Sequence, residues 1–142
     1  MRRLQSEETI MNDRPRISHY MATKLITLAP ETEINQAMHI LLERHISGAP
    51  VVDAAGGLVG VLSKKDCLKA ALHASYYRDW GGAVADYMSK DVQTLDAGMD
   101  IVSAAEAFVA STFRRFPVMQ DGRLVGQVSR ADILRALGEQ WG

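Results

Sequence analysis

Apolar side chains at Ile34, Ala37, Met38, Leu41 and Leu42 recur at the three-and-four spacing that lines one face of a helix. Pro30 and Glu31 supply a start and Gly48 a stop, so the pattern predicts a helix over about 30–45. The period then changes. Residues 49–53 and 58–63 are short runs rich in valine and leucine, joined by Ala54-Ala55-Gly56-Gly57, which predicts two strands and a hairpin turn. A short strand over 25–28 precedes the first helix, and a second helix is expected over 64–73. The order returns downstream: strand 92–95, helix 100–112, strand 116–119, a turn at Gln120-Asp121-Gly122, strand 123–129 and helix 130–138.

The recurrence extends to individual residues. Tyr20-Met21, Thr27-Leu28, Ile34, Ala37, Pro50-Val51, Leu58-Val59-Gly60, Ser63, Asp66 and Leu68 reappear as Tyr87-Met88, Thr94-Leu95, Ile101, Ala104, Pro117-Val118, Leu124-Val125-Gly126, Ser129, Asp132 and Leu134. One residue is dropped, in the turn before Leu124. Two copies of one supersecondary unit are implied, each presenting the same surface feature. The organisation predicted is a polar lead-in over 1–16, repeat one over 17–73, a linker over 74–86, repeat two over 87–138 and a tail over 139–142, with Ile17 to Met21 as a short helical turn.

With 142 residues of which 47% are apolar, the chain suits one compact domain or two small packed halves. A repeat of about 60 residues buries too little surface to be robust alone, so the copies are expected to share a core and to be related by a pseudo-twofold axis. The fold class predicted is mixed α/β (α+β), two β-α-β-β-α repeats. The linker carries Tyr76, Tyr77 and Trp80, and with Trp141 these aromatics are expected to pack on the body or on a second subunit.

The formal charge of −1 provides no long-range attraction for nucleic acid or an acidic membrane, although Arg2, Arg3, Arg14 and Arg16 make the leading segment locally basic. No apolar run approaches the length of a membrane span and no signal peptide is recognised; a soluble, cytoplasmic protein is expected. The single cysteine, Cys67, corresponds to Ile133 in the second copy, which favours a small buried hydrophobe over a catalytic thiol. His19, His39, His45 and His73 share no ligand spacing, and the first three correspond to Asp86, Glu106 and Thr112, so no metal site is expected. Neither repeated serine sits in a nucleophile elbow, and no histidine tracks it in both copies, so the chain is not expected to be an enzyme.

The candidate chemistry lies in Gly60-Val61-Leu62-Ser63-Lys64-Lys65-Asp66 and its echo Gly126-Gln127-Val128-Ser129-Arg130-Ala131-Asp132. Ser-x-x-Asp at a strand-to-helix junction is a capping box, with the serine satisfying an orphan amide and the aspartate answering it. It is also a place where amides and a hydroxyl favour an anion while a carboxylate suits adjacent ribose hydroxyls. The doubling, the glycine three residues before each serine and the Pro-Val strand entrance favour the ligand reading. Both readings remain open on the residues alone.

Both repeats resemble cystathionine-β-synthase (CBS) motifs, and the chain from 17 to 138 resembles a tandem CBS pair, or Bateman module, of the stand-alone bacterial type. The resemblance rests on Ser47-Gly48-Ala49-Pro50-Val51-Val52-Asp53, on the two Gly-x-x-Ser-x-x-Asp runs and on Arg114-Arg115-Phe116-Pro117-Val118. It implies a regulatory, ligand-sensing module that binds an adenosine-containing ligand (AMP, ADP, ATP, S-adenosylmethionine or similar) in clefts between the repeats and signals to a partner or an assembly, with a ligand-free dimerisation scaffold as the alternative. It implies that Asp66 and Asp132 accept from ribose hydroxyls, that Ser63 and Ser129 donate to ribose or phosphate, and that the base lies near Ile26, Thr27, Ala49 and Pro50 or near Gln93, Thr94, Phe116 and Pro117. Arg114 and Arg115, standing where the first copy has Ser47 and Gly48, would face phosphates. No cofactor is required. A flat homodimer formed through the helices, and an effector protein in trans, are the partners implied.

Overall fold

The computed structural model describes residues 14–79 and 81–141. Its elements in chain order are a 3-10 turn at Ile17–His19, helix α1 (Ile34–Glu43), strands β1 (Gly48–Val52) and β2 (Leu58–Ser63), helix α2 (Lys64–Tyr77), helix α3 (Val84–Tyr87), strand β3 (Leu95–Asp96), helix α4 (Ile101–Val109), strands β4 (Arg115–Gln120) and β5 (Arg123–Ser129), and helix α5 (Arg130–Trp141). Both repeats thus have the mixed α+β character predicted.

The chain divides into two compact units. One gathers residues 14–24 with 94–121 and 125–141, and the other gathers 25–79 and 81–93 with 122–124. Each repeat's opening segment therefore sits in the unit built mainly from the other repeat. Ile17 is buried among Leu95, Ile101, Phe116 and Val128, and its amide donates to Met99 O at 2.9 Å. Its counterpart Val84 is buried among Leu28, Ile34, Ala37 and Leu62 and donates to Thr32 O at 2.8 Å. Among the described residues the buried apolar side chains form two core clusters, one within each unit. An exchanged apolar turn adds to each the burial that a short repeat lacks.

The exchange also explains the glycine in each motif. A Cβ on Gly60 would lie 2.8 Å from Ser89 O and against the Met88 sulfur, and one on Gly126 would lie 2.9 Å from Ala22 O and against the Met21 side chain. The sequence suggested that these glycines leave room for a ligand. The room is taken by the exchanged segments, which form isolated bridges Val61↔Ser89 and Ala22↔Gln127 there.

Several boundaries move for identifiable reasons. The predicted strand 25–28 is a single parallel bridge, Leu28↔Val51, and 92–95 becomes Leu95–Asp96 paired with Val118 and Met119. Leu28 N donates to Pro50 O and Val52 N to Leu28 O, both at 2.9 Å. The next rung needs an N–H from Pro50, which has none, so the ladder stops short of Ile26; Pro117 likewise has no N–H with which to extend the Leu95 pairing. Helix α1 starts at Ile34 rather than near Pro30 because Glu33 is held extended in a bridge to Ala83. Helix α2 continues to Tyr77, into the predicted linker, and ends at Arg78 in the left-handed conformation (φ 51°). Tyr76 and Tyr77 are 75% and 71% exposed, and the Tyr77 ring meets that of His73 in a tilted arrangement at 4.7 Å. Trp141 is exposed, and Trp80 lies outside the described residues.

Of the lead-in, 14–16 is fixed to the first unit, with Arg14 facing Asp100 at 3.8 Å and Arg16 donating to Gly98 O at 2.8 Å. Arg2 and Arg3 lie outside the described residues. Asp100 caps α4 by accepting from the amides of Val102 and Ser103 at 3.0 Å and from Ser103 Oγ at 2.8 Å. Burial opposes its charged form, but the bonds from Ser103 and Val102 and the Arg14 guanidinium outweigh this and hold the carboxyl below its ordinary range. A carboxylate with a depressed folded-state pKa contributes stability that is complete above the unfolded value and is lost as pH falls through the folded one. Asp100→Ala is therefore expected to cost about 1 kcal/mol at pH 7. The difference from wild type should shrink in urea titrations carried down through the acid range.

Candidate functional site

The second unit brings six of the predicted residues to one end of its strands. Gly48 pairs with Ser63 across β1–β2, and Lys64 N donates to Ser47 O at 2.9 Å, so the entrance to β1 lies against the start of α2. Ala49 and Pro50 lead from that entrance, and Ile26 and Thr27 stand beside Pro50 through the Leu28 bridge. Ser63 and Asp66 close the corner. The first unit repeats the layout: Arg130 N donates to Arg114 O at 3.1 Å, Thr94 stands beside Pro117 through the Leu95↔Val118 pair, and Ser129 and Asp132 begin α5. Gln93 is the exception, since the chain passes between the units at Gln93–Thr94.

Both aspartates face their own helix start. Asp66 Oδ2 accepts from Ser63 N at 2.8 Å and from Ser63 Oγ at 2.9 Å, while Asp66 N donates to Ser63 Oγ at 3.2 Å. Asp132 Oδ2 accepts from Ser129 N at 2.8 Å and Asp132 N donates to Ser129 Oγ at 3.2 Å. These are complete capping boxes. Each uses one carboxylate oxygen and leaves the other outside the cap. Asp132 Oδ1 is met by Arg135 Nη2 at 3.1 Å, whereas Asp66 Oδ1 has no protein donor among the described residues.

Five of the expected site residues are engaged within the protein or buried. Ser63 Oγ donates to Asp66 Oδ2 at 2.9 Å, so its hydroxyl is engaged within the cap. Phe116 is 2% exposed and packs on Phe108 and Phe113, with ring centroids 4.8 and 5.6 Å away, so its side chain is core rather than a platform for a base. Ala49 is buried in the other core. Pro50 and Pro117 are buried as well. These four positions can offer a ligand only backbone groups. Thr27, Gln93, Thr94, Arg114 and Arg115 are exposed, and Ile26, Ser63, Asp66, Ser129 and Asp132 are half-buried.

Sequence reasoning missed Arg135. Arg130 Nε donates to Phe113 O at 3.0 Å, which ties the guanidinium beside the arginine pair. The signal available was the spacing Asp132-x-x-Arg135 in the first turns of a helix, a known i,i+3 pairing. Burial, and secondarily the Asp66 charge, push the Cys67 thiol pKa up, which suits a structural role. No group of metal-ligating side chains occurs among the described residues, and no helix among them is long and apolar enough to cross a membrane.

The family model for the CBS domain matches residues 17–73 and 84–139, the second match taking in the exchanged helix α3. The chain is 30% identical over 125 residues to the uncharacterised protein MJ1225 of Methanocaldococcus jannaschii, covering 88% of this chain and 44% of that one. It thus spans less than half of that relative's length. The crystal structure of CBSX2, a protein of Arabidopsis thaliana, in complex with AMP matches with a TM-score of 0.76 and 28% identity over 89% of this chain and 98% of that one. The CBS domain pair of protein MJ0100, solved with 5'-methylthioadenosine and S-adenosyl-L-methionine, matches with a TM-score of 0.72 and 25% identity over 89% and 98% of the two chains.

Proposed function

We propose, from the premise that this chain belongs to the CBS domain family, that it is a regulatory module sensing an adenosine-containing ligand. The observation that carries the reading is a repeated arrangement: a half-buried aspartate with one oxygen in a helix cap and one outside it, beside a strand entrance whose proline ends the ladder. A carboxylate oxygen outside the cap suits the vicinal hydroxyls of ribose, and a carbonyl left without a ladder donor at Ile26 suits the hydrogen-bonding edge of a base. Structures of relatives holding AMP, or 5'-methylthioadenosine with S-adenosyl-L-methionine, support the ligand class. The test is a melting-temperature screen with AMP, ATP and S-adenosylmethionine on the wild type and on Asp66→Asn with Asp132→Asn. No shift with any of them would overturn the reading.

A second reading, a ligand-free scaffold, is favoured by the completeness of the two capping boxes. It predicts that the aspartate variants lose stability and nothing else.

The assembly proposed is a homodimer. In the second unit Met38, Leu42, Leu68 and Ala71 line an apolar groove of about 320 Å³, and their counterparts Ala105, Val109, Leu134 and Leu137 line one of about 470 Å³ in the first. Leu68 and Leu134 are 69% and 71% exposed, and the single cation in each lining, Lys64 or Arg130, gives no basis for a charged partner. Two faces of one chemistry on one chain suit a second copy of the chain, which presents the same faces in return. Light scattering should give twice the 15.6 kDa chain mass, and Leu68→Glu with Leu134→Glu should return the monomer. A monomeric wild type at micromolar concentration would overturn this. An effector protein in trans completes the proposal, with the ligand-bound module as the form it reads.

A further inference from the structure

Helices α2 and α5 are counterparts, but their outer faces differ. On α2, Leu68, Leu72 and Tyr76 follow one another at four-residue spacing in a single row, 69%, 58% and 75% exposed, and Lys65 and Lys69 stand exposed in the row beside them. Asp66 is the one carboxylate of this helix, and it is turned into the cap. Neither lysine is in an ion pair among the described residues. On α5 the matching positions are Ala131 for Lys65, Leu134 for Leu68, Arg135 for Lys69 and Gly138 for Leu72, and Arg135 is paired with Asp132. The basic and apolar face is built on α2 and not on its counterpart.

A second copy of the chain accounts for surfaces matched in both repeats, such as the two grooves, and leaves a feature of one repeat unexplained. Leu68 borders its groove, but Leu72 and Tyr76 lie outside the groove lining and carry the row on toward the end of the helix. An anionic lipid surface would be held weakly, because attachment of that kind takes a cluster of about four or more basic residues and the whole chain carries −1. The row from Leu68 to Tyr76 is about 12 Å long, a little over two helical turns. Its length suits a partner helix, and two lysines four residues apart suit carboxylates at the same spacing.

Resting on the reading of an effector protein in trans, we propose that the outer face of α2 is the surface on which that effector docks. The occupant is an amphipathic helix of the effector, its apolar row set against Leu72 and Tyr76 and its acidic residues against Lys65 and Lys69. Because α5 lacks the face, each chain takes one such helix.

The test puts the photo-crosslinking residue benzoylphenylalanine at position 76 of the full chain, in soluble extract of the source organism, and maps the crosslinked peptide by mass spectrometry. The peptide expected comes from another protein and has apolar residues at helical spacing with glutamate or aspartate beside them. A synthetic peptide of that sequence should bind the wild-type chain in isothermal titration and bind about tenfold more weakly to Lys65→Glu with Lys69→Glu and to Leu72→Ala with Tyr76→Ala. Circular dichroism establishes that both double variants are folded, and light scattering should give them the wild-type mass. A crosslink to a second copy of this chain, or to a basic or wholly polar peptide, overturns the proposal, as does phosphatidylserine vesicle binding by the wild type that the variants lose. Affinity capture on the wild type and both variants separates the two failures. A partner retained equally by all three removes this surface and leaves an effector in trans; no partner retained by the wild type removes both.

Discussion

A ligand present at a hundred times its dissociation constant should stabilise the folded chain by about 2.7 kcal/mol, because it binds the native state and not the unfolded one. For a chain of 142 residues this is a rise in melting temperature of roughly 5–10 °C. The aspartate variants separate the two readings of the site. Asp66→Asn and Asp132→Asn keep an acceptor in each cap but remove a charge from the helix N-terminus, which costs about 0.3–1 kcal/mol without ligand. If the carboxylates also hold ribose, each variant loses part of the ligand-induced shift in addition. If they are caps alone, the melting temperature falls by the same small amount with and without ligand. The difference between the two curves, rather than either curve, carries the answer.

Phe116→Ala is expected to cost about 3–5 kcal/mol, a large share of the stability of a domain this small. All three phenylalanines of the chain meet here, Phe116 lying between Phe108 and Phe113. The corresponding positions of the second unit are Leu41, Ile46 and Ala49, a smaller set around a smaller residue. Truncating Phe116 opens a cavity that the neighbouring rings cannot fill without leaving their rotamers. Phe116→Leu, which keeps most of the volume, should cost about 1–1.5 kcal/mol. Because the ring faces the core, that variant should bind nucleotide as the wild type does. A urea titration reads the first effect and the melting-temperature shift the second; loss of binding in a stably folded Phe116→Leu would return the ring to the site.

The corners were legible because they are local. A serine at the end of an alternating strand, with an aspartate three residues into the next helix, can form its capping box with neighbours in sequence alone, and both copies do so. The hairpin between β1 and β2 is equally local, with Asp53 Oδ1 accepting from Ala55 and Gly57 and Gly56 at positive φ. What the aspartates do beyond the cap is not local. The second oxygen of Asp132 meets Arg135 while that of Asp66 meets no protein donor, although Lys69 stands at the equivalent position; the pair depends on which rotamer each long side chain adopts.

By itself, the sequence determined the main helices, both hairpins and the positions of both caps, since each follows from spacing within about ten residues, and comparison of its two halves showed the duplication. Only the tertiary structure decided that Ile17 and Val84 cross into each other's repeat, that Gly60 and Gly126 make way for Met88 and Met21, and that Phe116 belongs to the core. Periodicity states that a face is apolar and leaves open what covers it. That choice is made by whichever surface elsewhere in the chain buries it with the least void and the fewest stranded hydrogen-bonding groups.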